Sequence, residues 1–157
     1  YTVKNKKKYV GDPTKVTYRS LWERNAFRWA ESNPQVRAWN SEEVVVPYKC
    51  KTDNKLHRYF VDMLIEMTNG EIILVEIKPK KQTVPPKAAR KTKKHLNEVT
   101  TYIKNTSKWN AAQQYAKHKG WKFQIWTEDT LHSMGIMKKL KGLKPLKPYR
   151  KKSKKKV

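Results

Sequence analysis

Two apolar runs joined by a turn form the clearest pattern along the chain. They are His57-Arg58-Tyr59-Phe60-Val61-Asp62-Met63-Leu64-Ile65 and Ile72-Ile73-Leu74-Val75-Glu76-Ile77-Lys78, with Asn69-Gly70 between them. Both are rich in β-branched, aromatic and aliphatic residues, and Asn-Gly between such runs predicts a hairpin over 57–78. Upstream, Leu21, Ala26, Phe27 and Ala30 are candidate core positions of a helix over 20–31 that stops before Asn33-Pro34. Residues 43–48 read as a short strand, with Pro47 marking an edge or an early end. Downstream, Leu96, Val99 and Ile103 predict a helix over 93–104. Ser107 as N-cap and Gly120 as stop bracket another over 108–119. Trp121, Phe123 and Ile125 alternate with polar residues and predict a strand, and Thr127 caps a short last helix over 128–134. There are no internal repeats. This order predicts an α/β fold in which helices flank a mixed sheet.

Charge adds the partner. The 157 residues carry 37 Lys and Arg against 13 Asp and Glu, a formal charge of +24. Such an excess points to polyanions, with nucleic acid ahead of acidic proteins or membranes. It is concentrated in three places: residues 4–8, the eight Lys and Arg between Lys78 and His95, and the eleven basic residues among the twenty from Lys138 to Val157. The last two runs contain no acid, and prolines interrupt both. A solvated solubility tail is the plain reading of a like-charge run, but at +24 a phosphate-binding arm is the stronger one. The expected organisation is therefore a basic N-terminal arm over 1–15, a folded domain over 16–137, and a basic DNA- or partner-binding tail over 138–157. The single Cys50 excludes an internal disulfide framework and a cysteine-based zinc site, and it suits a reducing compartment. No stretch reaches the ~20 apolar residues of a membrane-spanning helix. The chain begins at Tyr1 rather than Met, so a preceding segment is expected.

The candidate chemistry lies inside the hairpin. Asp62, Glu76 and Lys78 interrupt otherwise apolar strands, and carboxylates there are costly unless paired or bound to a cation. Two carboxylates holding Mg²⁺, with the Ile77 carbonyl as a further ligand and Lys78 on the same strand face as Glu76, would relieve that cost and supply phosphodiester hydrolysis. Register decides whether they meet. A two-residue Asn69-Gly70 loop would set Asp62 opposite Ile77. A three-residue Thr68-Asn69-Gly70 loop, with Gly70 in the left-handed region as a G1 bulge, would set it opposite Glu76. The metal hypothesis therefore requires the bulged turn. The competing reading is a surface Glu76–Lys78 pair of little energetic weight, with Asp62 at a strand end. Glu23 has two readings of equal standing: a third carboxylate for the metal, or the N3 residue of a Ser20-Leu21-Trp22-Glu23 capping box. In a regular strand His57 would face away from Asp62, which favours a structural or DNA-facing role. His95, His118 and His132 show no ligand spacing, and the six tryptophans read mostly as core. Gln82, amid Lys80 and Lys81, is a candidate phosphate contact.

Tyr18-Arg19-Ser20-Leu21-Trp22-Glu23, then His57-x-Tyr59-x-x-Asp62, then Val75-Glu76-Ile77-Lys78, in that order, resembles the PD-(D/E)xK nuclease superfamily. Within it the resemblance is to the TnsA-like branch and to the head completion nucleases of large contractile-tailed bacteriophages, over most of the chain. It implies a restriction-endonuclease-like mixed sheet flanked by helices. Glu23, Asp62 and Glu76 would be metal ligands, Lys78 would assist catalysis, and Mg²⁺ would be the cofactor, with Mn²⁺ as a substitute. The chain departs from the pattern at Val61, where many relatives carry Pro, a chemically benign change. The implied activity is a metal-dependent endonuclease acting on packaged double-stranded DNA before heads join tails. That would occur in the host cytoplasm during assembly or at the virion neck, with capsid or neck proteins as partners. Two rivals remain open: a basic virion protein that binds DNA without cutting it, and a TnsA-like transposase subunit or junction resolvase.

Overall fold

A computed structural model of the chain describes residues 1–87 and 90–138. The tail expected from Lys138 onward therefore lies, past its first residue, outside the described residues. Helix α1 (Leu21–Ser32) is followed by strands β1 (Val36–Asn40), β2 (Val45–Lys49), β3 (Leu56–Phe60), β4 (Met63–Met67) and β5 (Ile72–Ile77). Helix α2 (Lys93–Lys119), strand β6 (Lys122–Trp126) and helix α3 (Glu128–Ser133) complete the order. The main sheet runs β1-β4-β5-β6. Its β1–β4 and β4–β5 pairs are antiparallel and β5–β6 is parallel, while β2 and β3 form a separate antiparallel ribbon. The α2 crossover is what a parallel β5–β6 pair demands.

The β4–β5 hairpin adopts the bulged turn. The Gly70 N–H donates to the Met67 carbonyl at 3.0 Å, the Met67 N–H donates to the Glu71 carbonyl at 2.8 Å, and Gly70 has φ 89°. Met63 then pairs with Val75 and Leu64 with Leu74, a register that extends to Asp62 opposite Glu76. A side chain at Gly70 would meet nothing within 4 Å, so Gly70→Ala tests backbone strain alone. It should cost about 1–2 kcal/mol in a denaturant melt without loss of the folded signal.

The expected continuous strand over 57–65 is instead two strands in two sheets. At the junction the Val61 N–H donates to the Val44 carbonyl at 3.0 Å and the Glu42 N–H donates to the Val61 carbonyl at 3.1 Å. Tyr59 and Val61 pack with Val46, Leu74, Ala112 and Ala116 in one core, whereas Met63 and Ile65 pack with Ala26, Phe27, Trp39 and Val75 in the other. Odd-numbered residues are buried on both sides of Asp62, but on opposite faces of the main sheet. The chain thus twists over at Asp62 while its alternation reads as unbroken.

Several other expectations are corrected. Strand β1 (VRAWN), which fully buries Trp39, had no alternation signal, and a register irregularity between Val36 and Ala38 interrupts it. The two helices expected over 93–104 and 108–119 are one. Ser107 is not an N-cap: its hydroxyl donates to the Ile103 carbonyl at 2.8 Å, the back-bond that lets a Ser sit inside a helix. Burial of Trp109, Ala112 and Ala116 then holds the second half against the sheet and ribbon. Leu21, expected in the core, is exposed, as is Leu96 of the downstream helix pattern. The N-terminal fifteen residues do not stand off as an arm, since Val3 and Tyr9 are core residues and Tyr9 packs edge-on against Trp39.

Candidate active site

The twist at Asp62 and the end of β5 bring the charged residues together. Even-numbered residues of β4 and β5 face the α2 side, so Leu64, Leu74, Asp62 and Glu76 share a face. Beside the sheet a cleft of about 310 Å³ opens, lined by Glu23, Asp62, Glu76, Ile77 and Lys78 together with Arg19, Glu42, Arg58, Tyr59, Phe60 and Lys108. The five residues proposed from sequence as metal ligands or catalytic lysine thus line one cavity.

Each carboxylate has one oxygen already engaged. The Ile77 N–H donates to Asp62 Oδ2 at 2.8 Å, and the buried Tyr59 hydroxyl donates to Glu76 Oε2. Lys78 Nζ lies 3.6 Å from Glu76 Oε1. Burial first, and then the neighbouring Glu76, pushes the Asp62 carboxyl up from an ordinary 3.8 to about 8, against the pull of the Ile77 N–H. Burial and the Glu76 and Asp62 charges hold the Tyr59 phenol far above its usual range, so it stays protonated and donates. Burial also lowers Lys108, with Lys104 adding to the effect. Its ammonium sits 5.7 Å from the centre of the Tyr59 ring.

Glu23 reaches the cleft differently. Its N–H donates to Ser20 Oγ at 3.2 Å, the Ser half of the expected capping box, but its carboxylate accepts the Arg19 N–H at 3.1 Å instead of the Ser20 N–H. Helix α1 packs on the face of the sheet that carries Val75 and Ile77, opposite the face of Glu76. Among the described residues, no three His, Cys, Asp or Glu side chains gather as a ready-made metal cage. Burial, more than any neighbouring charge, raises the Glu23 carboxyl, with Glu42 and Glu76 adding to the shift. The donor set still has the chemistry of a hard divalent cation site. Two carboxylates meet in a low-dielectric pocket with one ammonium nearby, and their mutual repulsion is what a cation would relieve.

The other candidates separate. His57 lies outside the cleft lining, bonded to Asp53 Oδ2 at 2.7 Å and stacked on Tyr48. Gln82 lines a neighbouring pocket with Trp22, Glu23 and Lys78. Sequence reasoning gave no role to Tyr59, Arg19, Arg58 or Lys108. Tyr59 and Arg19 stand in the motifs quoted above, whereas nothing local marks Lys108, which only the α2 crossover brings to the site.

Comparison with known proteins supplies the family. A family model described as TnsA-like endonuclease N terminal matches residues 33–128. A protein named head completion nuclease, from Enterobacteria phage T4, is 47% identical over 138 residues, covering 85% of this chain and 92% of its own length. No solved structure matches the chain.

Proposed function

The chain belongs to the TnsA-like endonuclease family, with its restriction-endonuclease-like fold, and from that premise we propose that it is a divalent-metal-dependent DNA endonuclease acting in phage head completion. The observation that carries the chemistry is the meeting of Asp62 and Glu76 in one cleft with Lys78 beside them. Mg²⁺, or Mn²⁺ in its place, would supply activation of a water and neutralisation of charge at the phosphate. Asp62 and Glu76 would hold it, with the Ile77 carbonyl and Glu23 completing the oxygen set. The Tyr59 hydroxyl and the Ile77 N–H fix the two main carboxylates in orientation, which preorganises the site before DNA arrives. The Lys78 ammonium is positioned to orient the attacking water and to meet negative charge developing on the phosphate. Arg19, Arg58 and Lys108, on the walls of the same cleft, hold the flanking phosphates.

The T4 relative's name joins a nuclease to head completion; we extend this to processing of packaged DNA before filled heads join tails, in the host cytoplasm during assembly, with capsid or neck proteins as neighbours. The basic run from Lys138 would add sequence-independent affinity for the DNA backbone.

Lys78→Ala tests the assignment of the lysine. Single-turnover cleavage of duplex DNA in Mg²⁺ should slow about a hundredfold, while affinity measured in EDTA stays within about threefold. A wild-type rate in that variant would remove Lys78 from the chemistry.

A further inference from the structure

The β2–β3 ribbon turns an unusual face to solvent. Its inner face, with Val46, Tyr48 and Tyr59, is buried against α2 and the sheet. On its outer face Leu56, Arg58 and Phe60 follow one another along β3, opposite Lys49, Pro47 and Val45. Leu56 is 79% and Phe60 46% exposed, on either side of Arg58 along one strand face. The apolar groups come with positive charge: the Arg58 guanidinium lies 5.8 Å from the centre of the Phe60 ring. This face runs directly into the cleft, since both Arg58 and Phe60 line it beside Asp62 and Glu76.

We propose that Phe60, with Arg58 beside it, is a stacking platform for an unpaired nucleobase next to the scissile phosphate, so that the preferred substrate is DNA with unpaired nucleotides at the cut. The inference deepens the endonuclease reading and rests on it. Phe60 precedes Asp62 by two residues, at most about 7 Å along the chain. A phosphate at the carboxylates therefore leaves its own base, or the next one, within reach of the ring. In an intact duplex both faces of that base are covered by neighbours, and exposing one costs a few kcal/mol. At a bulge, gap or frayed end the face is already free, and stacking on an aromatic ring is available to any base. The cation matters as well. Arg58 sits where it meets the phosphate of the stacked nucleotide, so the platform grips base and backbone together.

The test is binding in EDTA to a duplex with a two-nucleotide 2-aminopurine bulge, compared with the same duplex fully paired. Full-length protein should bind the bulged DNA more tightly and quench its fluorescence. Phe60→Ala should lose about ten- to a hundredfold in affinity for the bulge, with loss of the quench, and less than about twofold for the paired duplex. Phe60→Trp should restore both signals, whereas Phe60→Leu, which keeps apolar bulk without a π-face, should not. Equal wild-type affinity for the two duplexes, equal losses on both in Phe60→Ala, or restoration by Leu would overturn the proposal. No change at all in Phe60→Ala would do the same and leave the ribbon as a protein-docking face. Because the assay needs no cleavage, a chain that stacks but never cuts would refute only the nuclease reading. One that cuts without quenching would refute only the platform.

Discussion

Replacing Glu76 by Ala should reduce DNA cleavage at least a thousandfold while leaving DNA binding intact or stronger. Glu76 is 6% exposed, sits opposite Asp62 in register, and offers Oε1 toward Lys78. Without it one of the two main cation ligands is gone. Lewis-acid catalysis is worth several kcal/mol, and each ~1.36 kcal/mol is tenfold in rate. Binding is spared because the cations on the cleft walls remain and one negative charge near the phosphate is removed. The alanine also strands the buried Tyr59 hydroxyl, at about 1–3 kcal/mol of stability. Glu76→Gln is therefore the cleaner companion: it keeps an acceptor for Tyr59 and loses only the charge. Both proteins should melt cooperatively, bind DNA in a gel-shift assay, and fail to cut in Mg²⁺. Wild-type cutting by either would mean that the chemistry lies elsewhere.

In EDTA, the stability of the wild-type protein relative to Asp62→Asn should fall as pH rises from about 4 to about 8, by an amount on the order of a few kcal/mol. The direction follows from proton counting. The Asp62 carboxyl is raised from 3.8 to about 8 in the folded protein, chiefly by burial and then by Glu76. Between those values the folded state holds a proton that the unfolded state has released. Stability from this group is thus complete below pH 4, lost progressively as pH rises, and gone above about 8. Taking the difference from Asp62→Asn cancels the other titrating groups, including Asp12, Asp53 and Glu71, whose lowered carboxyls push the opposite way. Denaturant melts across the range measure it. Mg²⁺ should restore wild-type stability most at the alkaline end, where Asp62 is ionised. A difference that is flat with pH, or that grows with it, would mean that burial and Glu76 do not raise the Asp62 carboxyl as their placement implies.

Much of this site was legible in the residues because hairpin geometry is discrete. Thr68-Asn69-Gly70 permits the bulged turn, Gly70 takes the positive φ that turn needs, and register arithmetic then sets Asp62 opposite Glu76. What stayed hidden was what local pattern does not encode. Tyr59, Val61, Met63 and Ile65 alternate without interruption, yet the chain twists over at Asp62 and feeds two different cores. Burial on either face of the sheet leaves the same odd-numbered signature. Asn105-Thr106-Ser107 reads as a helix break by propensity, but Thr106 and Ser107 both back-bond to Ile103 and tertiary packing carries the helix through. Lys108 reaches the cleft only because that helix is unbroken. Glu23 was ambiguous from its capping box: Ser20 caps the helix through the Glu23 N–H, while the Glu23 carboxylate accepts from Arg19 rather than from the Ser20 N–H. One of its carboxylate oxygens bonds the Arg19 N–H and the residue lines the cleft with Asp62 and Glu76, a placement that only the packing of α1 decides.

The most direct measurement is the initial rate of duplex DNA cleavage by EDTA-stripped protein as Mg²⁺ is titrated back. No product should form in EDTA, and the rate should rise saturably with Mg²⁺, a rise that Glu76→Gln abolishes at every concentration. Cleavage that proceeds undiminished in EDTA would contradict the proposed metal dependence.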